Sequence, residues 1–568
     1  MDANSSPRRA WLAAGASVTV LCALCVAAPA RAAASNIDSI EKQIRALQAE
    51  LHHVKAEMAR KDAAEKRAAA QHGPGFNEAV YGRDIHGNPV YLGPGVGMAR
   101  ASGTQPAGSP YLNVEGTPHN VMAKLGQGTF MVGGVSVTLG GFVDVTGVYR
   151  SRTEGNDVAS DFGNGIPFRN VAAGHMNQFL MSGRASRLSI LAQDDATPNT
   201  HLAAYYEMDF QSAGTSSNPR ESNSYTLRVR NVYGTYYNHD WDLKILGGQS
   251  WSLATAYKVG LTERQENAPL AIDHQYVPGF TWTRQAGIRI VKGFDHSKYH
   301  LGLAFEEPQT LYASAGPNGI VPASVGTITT SVTGGGTNNN ATSYTTEIAP
   351  DTILKIAADP GWGHYELFGL MRFFQARQSL GTWGTNHVQI AGGGGGSTIL
   401  PLIKGKLDLQ LSGTIGKGIG RYGTSQLPDA TFDAAGHIVP LTNLQALGGL
   451  VYHPVKTVDL YAYGGTERVL DREDFTVGGK GYGYGSPLYN NSGCNIEGSA
   501  ATLCVANTRA ITQGTVGYWW RALKGPFGTL QNGLQYSYTK RQIFSGIGGS
   551  PKTDDNIVML SFRYLPFQ

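Results

Sequence analysis

The chain has 568 residues, of which 74 are glycine, 10% are aromatic and 15% are charged, with a formal net charge of +4. Soluble proteins carry about 25% charged residues, so this chain is poor in charge for that class, and its near-neutral balance leaves no basic footprint for nucleic acid. Beyond the N-terminus no apolar run reaches about 18 residues, which excludes transmembrane helices and leaves crossing by strands open.

The first element is a secretory signal peptide over residues 1–32. Arg8 and Arg9 precede an apolar stretch from Ala10 to Ala28, and Ala30-Arg31-Ala32 places small residues where a signal peptidase reads. Cleavage is expected after Ala32. Gly15, Ser17 and Thr19 interrupt the stretch and argue against a retained anchor, while Leu24 occupies the position where a lipid anchor on Cys25 would need a small residue. Pro7 beside the paired arginines spoils a twin-arginine signal.

Residues 33–70 form the second element. Ile37, Ile40, Ile44, Leu47, Leu51, Val54 and Met58 alternate spacings of three and four, the a and d positions of a heptad repeat, so a coiled coil is expected in preference to an amphipathic helix packed on a larger body. Isoleucine at both core positions of the first heptad favours three strands over two, although Leu47, Leu51 and Val54 dilute that preference. So short a helix is marginal alone in water; tethering to bodies already packed side by side would raise its effective concentration. Residues 71–134 follow as a linker marked by Gly73-Pro74-Gly75, Gly93-Pro94-Gly95 and the stretch from Pro106 to Pro110.

From residue 135 to the end the pattern changes to a period of two. Val135, Val137, Leu139, Val143, Val145 and Tyr149 alternate with Ser136, Thr138, Asp144, Thr146 and Arg150; Leu407, Leu409 and Leu411 alternate with Lys406, Asp408, Gln410 and Ser412. That period places one face of a strand against lipid and the other against water. Strands are expected at 135–150, 178–193, 200–211, 224–238, 241–252, 281–293, 298–306, 346–358, 363–377, 386–400, 406–420, 443–453, 457–469, 509–521, 528–541 and 556–567. The links 194–199, 238–240, 294–297, 359–362, 401–405, 454–456 and 522–527 are short. Between them fall the long links 151–177, 212–223, 253–280, 307–345, 421–442, 470–508 and 542–555, with a modest one at 378–385. Short turns on one side and long loops on the other describe an all-β transmembrane barrel of about 16 antiparallel strands, residues 135–568. After loss of the signal peptide, Cys494 and Cys504 remain in one loop and are expected to form a disulfide.

Three segments carry a family resemblance: Leu227-Arg228-Val229-Arg230-Asn231-Val232-Tyr233-Gly234, Gly247-Gly248-Gln249-Ser250-Trp251-Ser252 and Leu460-Tyr461-Ala462-Tyr463-Gly464-Gly465-Thr466-Glu467. With the coiled coil, they resemble the trimeric outer-membrane porins of the DcaP-like group, which are more distantly similar to phosphate-selective porins. The resemblance implies a homotrimer in outer-membrane lipid, with the coiled coil in the periplasm, passing small hydrophilic solutes, in some members preferentially anions. The chain departs from the usual terminal Phe, because Gln568 follows Phe567.

A barrel of around sixteen strands leaves an aqueous channel, whose selectivity comes from lumen charges and an inward-folded loop. With Leu227, Val229 and Tyr233 outward, Arg228 and Arg230 face the lumen; Glu207 and Asp209 on the preceding strand do the same, and alternation adds Arg187 and Arg289. These groups read either as wall salt bridges or as opposed basic and acidic sides of an eyelet favouring anions. Asp144, Glu306, Asp408 and Asp459 are further lumen candidates. The loop from Ser252 to Phe280 is the expected constriction, with Glu263, Arg264, Glu266 and Asp273 as its charges and Leu261, Leu270 and Ile272 as apolar anchors; the competing reading makes it a latch between barrels. The run Gly392 to Gly396 marks either a bend or a close barrel-to-barrel contact. No G-x-S-x-G elbow and no H-E-x-x-H pair occurs, and Gly478-Gly479-Lys480-Gly481 lacks the strand-to-helix context of a phosphate loop. No catalytic residue, cofactor or metal is expected. A passive trimeric anchor joining membrane to cell wall is the alternative to a pore, with an outer-membrane enzyme a distant third.

Overall fold

The computed structural model describes residues 81–83, 89–91 and 128–567, except 164, 212–213, 215–219, 221–223 and 335–341. The expected signal peptide and the coiled-coil core from Ile37 to Met58 lie outside the described residues, as does most of the linker. Within that linker the backbone of Tyr81–Arg83 pairs antiparallel with Pro89–Tyr91.

From residue 135 the chain runs as an antiparallel meander that closes on itself. Its wall strands are β1 (Val135–Arg150), β2 (Gln178–Ser182 continued by Arg187–Thr197), β3 (Thr200–Asp209), β4 (Arg228–Asn238), β5 (Leu243–Trp251), β6 (Arg284–Phe294), β7 (Tyr299–Glu306) and β8 (Asp351–Ala358). The second half comprises β9 (His364–Leu380), β10 (Trp383–Ile403), β11 (Leu407–Lys417), β12 (Thr442–Val455), β13 (Val458–Val469), β14 (Thr508–Gly525), β15 (Gly528–Ile543) and β16 (Lys552–Leu565). Pairing of β16 with β1, from Ile557 opposite Arg150 to Tyr564 opposite Val143, leaves no open edge there. The two pieces of β2 pair with successive stretches of β1 and so fill one place in the wall.

Alternation sets the two faces. Along β15, Gln531, Gln535, Ser537 and Thr539 are buried inside, while Leu530, Leu534, Tyr536 and Tyr538 are exposed outside. Short turns occupy one end, and in the turn after β6 Asp295, His296 and Ser297 all take left-handed backbone. At the other end rise the long loops, apart from the tight connection between β9 and β10.

One sequence expectation changes. Tyr233 points inward, buried, because the register slips between Glu207, opposite Asn231, and Met208, opposite Val229. An extra residue at that bulge keeps Arg228 and Arg230 inside yet resets the alternation beyond them. The run Gly392 to Gly396 holds an unbroken register against β9 and β11, so it makes no break in the ladder. Gly478 and Gly479, both at positive φ, form the tip of a hairpin between Glu473–Val477 and Lys480–Tyr484. The disulfide between Cys494 and Cys504 is present, in a loop cluster with Phe168, Tyr489, Ala506 and Ile543.

Candidate functional site in the barrel lumen

The reach between β5 and β6, residues 252–283, folds into the barrel. Its backbone bonds lumen-facing side chains on well-separated strands of the wall: Leu253 N–H donates to Glu306 on β7 (2.7 Å), Tyr257 N–H to Glu366 on β9 (3.1 Å) and Ile272 N–H to Gln535 on β15 (2.6 Å). Gly279 N–H donates to Glu467 on β13 (2.7 Å), and Trp519 Nε1 on β14 donates to the Leu270 carbonyl (2.9 Å). Apolar contacts hold it as well. Leu270 and Ile272 pack with Val451, Tyr461, Trp519 and Met559, while Leu261 packs with Val291, Ile353 and Leu370. A buried loop needs partners for its polar backbone, and these wall side chains supply them.

The charges expected on β2 to β4 meet in one network. Arg230 bonds Glu207 and, at 2.7 Å, Asp209; Arg228 reaches Asp209 through two bonds of 2.8 and 2.9 Å; Arg187 lies 3.6 Å from Glu207. Arg284 joins from β6, stacked 4.7 Å over Trp251 and donating to Gln275 at 2.6 Å. Four guanidinium groups therefore face two carboxylates, leaving positive charge in surplus. His274 sits among Arg187, Arg230, Arg284 and Arg563; burial first, and then those cations, hold its imidazole well below its ordinary range.

The network is largely shielded by the loop. Arg187, Arg230, Glu207 and Asp209 are buried, whereas Arg228 is half-buried. Arg289 is also buried, bonded to Tyr257 Oη (2.5 Å) and the Trp251 carbonyl. On the loop, Glu263, Glu266 and Asp273 are buried. Burial pushes the Glu266 carboxyl up to about 7 and the Asp273 carboxyl, bonded by Gln535, up to about 6. Water reaches Ala256, Lys258, Arg264, Gln265 and Asn267 on the loop and Gln410 and Ser412 on β11. Among these, Arg264 stacks 5.5 Å from the Tyr205 ring and donates to Tyr233 Oη at 3.4 Å.

Other lumen groups escaped the sequence reading. Arg372 on β9 bridges Asp351 (3.0 Å) and Asp429 (2.9 Å), which brings the 418–441 loop inside; Lys355 pairs with Glu366 at 3.0 Å. Asp144, a stated candidate, binds Arg563 at 2.8 Å. Alternation signals which of these side chains point inward, but which loop meets them has no local signature.

No family model matches the chain, and no curated relative matches it. Among solved structures it is similar to the outer membrane channel DcaP of Acinetobacter baumannii, at 15% identity, covering 78% of this chain and 100% of that one with a TM-score of 0.53. It also aligns with an anion-selective porin from Comamonas acidovorans, at 11% identity over 76% of this chain and 99% of that one with a TM-score of 0.38. OprB of Pseudomonas putida aligns at 10% identity over 75% of this chain and 94% of that one, with a TM-score of 0.40. The first likeness supports the barrel fold.

Proposed function

We propose that this chain is an outer-membrane porin, a passive diffusion channel for small hydrophilic solutes with a preference for anions. The observation that carries the reading is a closed barrel, apolar outside and polar inside, narrowed by its own loop 252–283. A loop tied to opposite walls by single polar bonds restricts a channel while leaving Lys258, Arg264, Gln265 and Asn267 wet along one side. The surplus of arginine over carboxylate on β2 to β6 and the wetted cations Lys258 and Arg264 favour anions passing close by. The likeness of the barrel to the outer membrane channel DcaP supports the channel part of this reading.

In this account the working unit is a homotrimer in the outer membrane, with the heptads of residues 33–70 aligning three protomers on the periplasmic side. Proteoliposome swelling with neutral sugars and dicarboxylates of matched size tests the channel: swelling faster with dicarboxylates supports it, and no swelling with either solute refutes it. Deletion of residues 33–70 tests the assembly role. Loss of trimers with monomer flux retained is expected; intact trimers accompanied by detachment of the envelope would favour the anchor instead.

A further inference from the structure

The outer face of β10 to β14 differs from the rest of the wall. There, outward positions lose their side chains at neighbouring levels: Gly396 pairs with Gly413, Gly413 with Ala446, Gly448 with Gly464, and Gly464 with Gly514. Around them stand Leu301, Ile356, Leu367 and Leu411, all exposed. The result is a trough of about 1290 Å³ that begins beside Tyr299 and Tyr365, near the short-turn end, and extends to Thr466, Arg468 and Thr512 toward the long-loop end. Small-molecule sites usually measure roughly 300–1,000 Å³, so this trough is large for one such ligand, and its lining is mostly apolar.

One feature gives it polarity. Glu366 and His300 also border the trough but are buried toward the lumen, which leaves Arg468 as the charged side chain of the lining that faces outward among the described residues. Its Nε donates to Thr466 Oγ1 at 3.1 Å, and the guanidinium is otherwise exposed. Lys417, also exposed, ends β11 opposite Thr442, two residues from Leu444, which pairs with Arg468. Strand spacing of ~4.8 Å and a rise of ~3.4 Å per residue place the Cα atoms of these two residues about 12 Å apart. Glu473, on the hairpin beyond β13, is a carboxylate within electrostatic reach of Lys417. The outer face of β1 to β4 is different, with protruding Tyr149, Phe179, Leu227 and Val229 at the corresponding level.

We propose that the trough binds a phosphorylated glycolipid of the outer leaflet, its acyl chains lying along the glycines and a phosphate on Arg468 beside Lys417. Charge complementarity selects this occupant. Hydrocarbon fills the apolar length, and the cation meets an anion at the headgroup level, where basic side chains attract acidic lipids. A second copy of the barrel seated here would have to bury Arg468, while the apolar side chains of β1 to β4 offer a face without that cost.

The test is native mass spectrometry of the full-length protein in detergent, titrated with diphosphoryl lipid A or with phosphatidylglycerol. Lipid A is expected to bind at least tenfold more tightly. Arg468→Glu and Gly464→Leu should each weaken lipid A binding tenfold or more; a Cβ at Gly464 meets no atom within 4 Å, so the added leucine fills the trough without disturbing the wall. Gly147→Leu on β1, where the nearest atoms lie 3.9 Å away, should leave binding unchanged. Unshifted electrophoretic heat modification confirms that each variant is folded. Wild-type affinity in both trough variants, or equal affinity for phosphatidylglycerol, overturns the proposal. So does loss of oligomers in Gly464→Leu with lipid binding intact, which would assign the trough to a second copy. Solute flux is read separately, so failure here leaves the channel reading standing.

Discussion

Replacing Arg264 by Asn isolates the effect of one wetted charge on permeation. Arg264 lies on the lumen loop at φ 63°, half-buried, and its guanidinium donates to Tyr233 Oη at a long 3.4 Å. Asn tolerates that left-handed backbone, so the substitution removes charge while leaving the loop's path favourable. For an ion passing at about 6 Å in water, one unit charge is worth ~0.7 kcal/mol, and screening at 0.1 M salt, with a Debye length of about 10 Å, reduces this to ~0.4 kcal/mol. Anions lose that attraction and cations lose the same repulsion, so the permeability ratio should shift toward cations by about three- to fourfold. At 1 M salt the Debye length is about 3 Å, and the shift should shrink below about 1.5-fold. Reversal potentials across a tenfold KCl gradient read both numbers. An unchanged ratio at low salt would refute the placement of Arg264 along the ion path, and a shift that persisted at 1 M would refute its electrostatic origin.

Further expectations concern what holds the lumen together. Arg230→Met strands the buried Glu207 and Asp209 beside fewer cations, which should cost about 3–5 kcal/mol and lower the urea midpoint of unfolding measured in lipid vesicles. Glu467 accepts from Gly279 N–H (2.7 Å) and Ser425 N–H (3.0 Å), so Glu467→Ala removes two charge-assisted bonds worth ~1.5–3 kcal/mol each and should release both loops, raising mean conductance and current noise. The raised carboxyls of Glu266 and Asp273 bind protons more tightly in the docked loop than in a released one. Loop docking is therefore strongest below the ordinary carboxylate range and weakens as pH rises through about 6 and about 7. Hydrogen exchange corrected for intrinsic rates should show less protection of amides 252–283 at pH 8 than at pH 5, and equal protection would count against those buried sites.

The barrel was legible because each wall strand must show one face to hydrocarbon and the other to polar groups, a constraint that every residue in the strand reports. Hence β1 occupies Val135–Arg150, as expected, and β13 starts at Val458, one residue from the expected start. Alternation also turned Arg187, Arg228, Arg230, Glu207 and Asp209 toward one another. Loop entry was partly readable, since Leu261, Leu270 and Ile272 are apolar residues in a segment otherwise suited to water, and they are the residues packed inside. Three features had no local signal. The bulge that turns Tyr233 inward depends on a cross-strand register, and the use of Asp429 by Arg372 depends on a loop returning 57 residues later in the chain. The trough on β10 to β14 was equally hidden, because Gly396, Gly413, Gly448 and Gly464 become neighbours only when the strands are paired.

The proposed water-filled, anion-preferring path through three associated barrels is open to single-channel recording of the purified full-length protein in a planar bilayer under a salt gradient. Conductance steps grouped in threes are expected, with a reversal potential on the anion side. A folded, inserted protein that passes no current would contradict it.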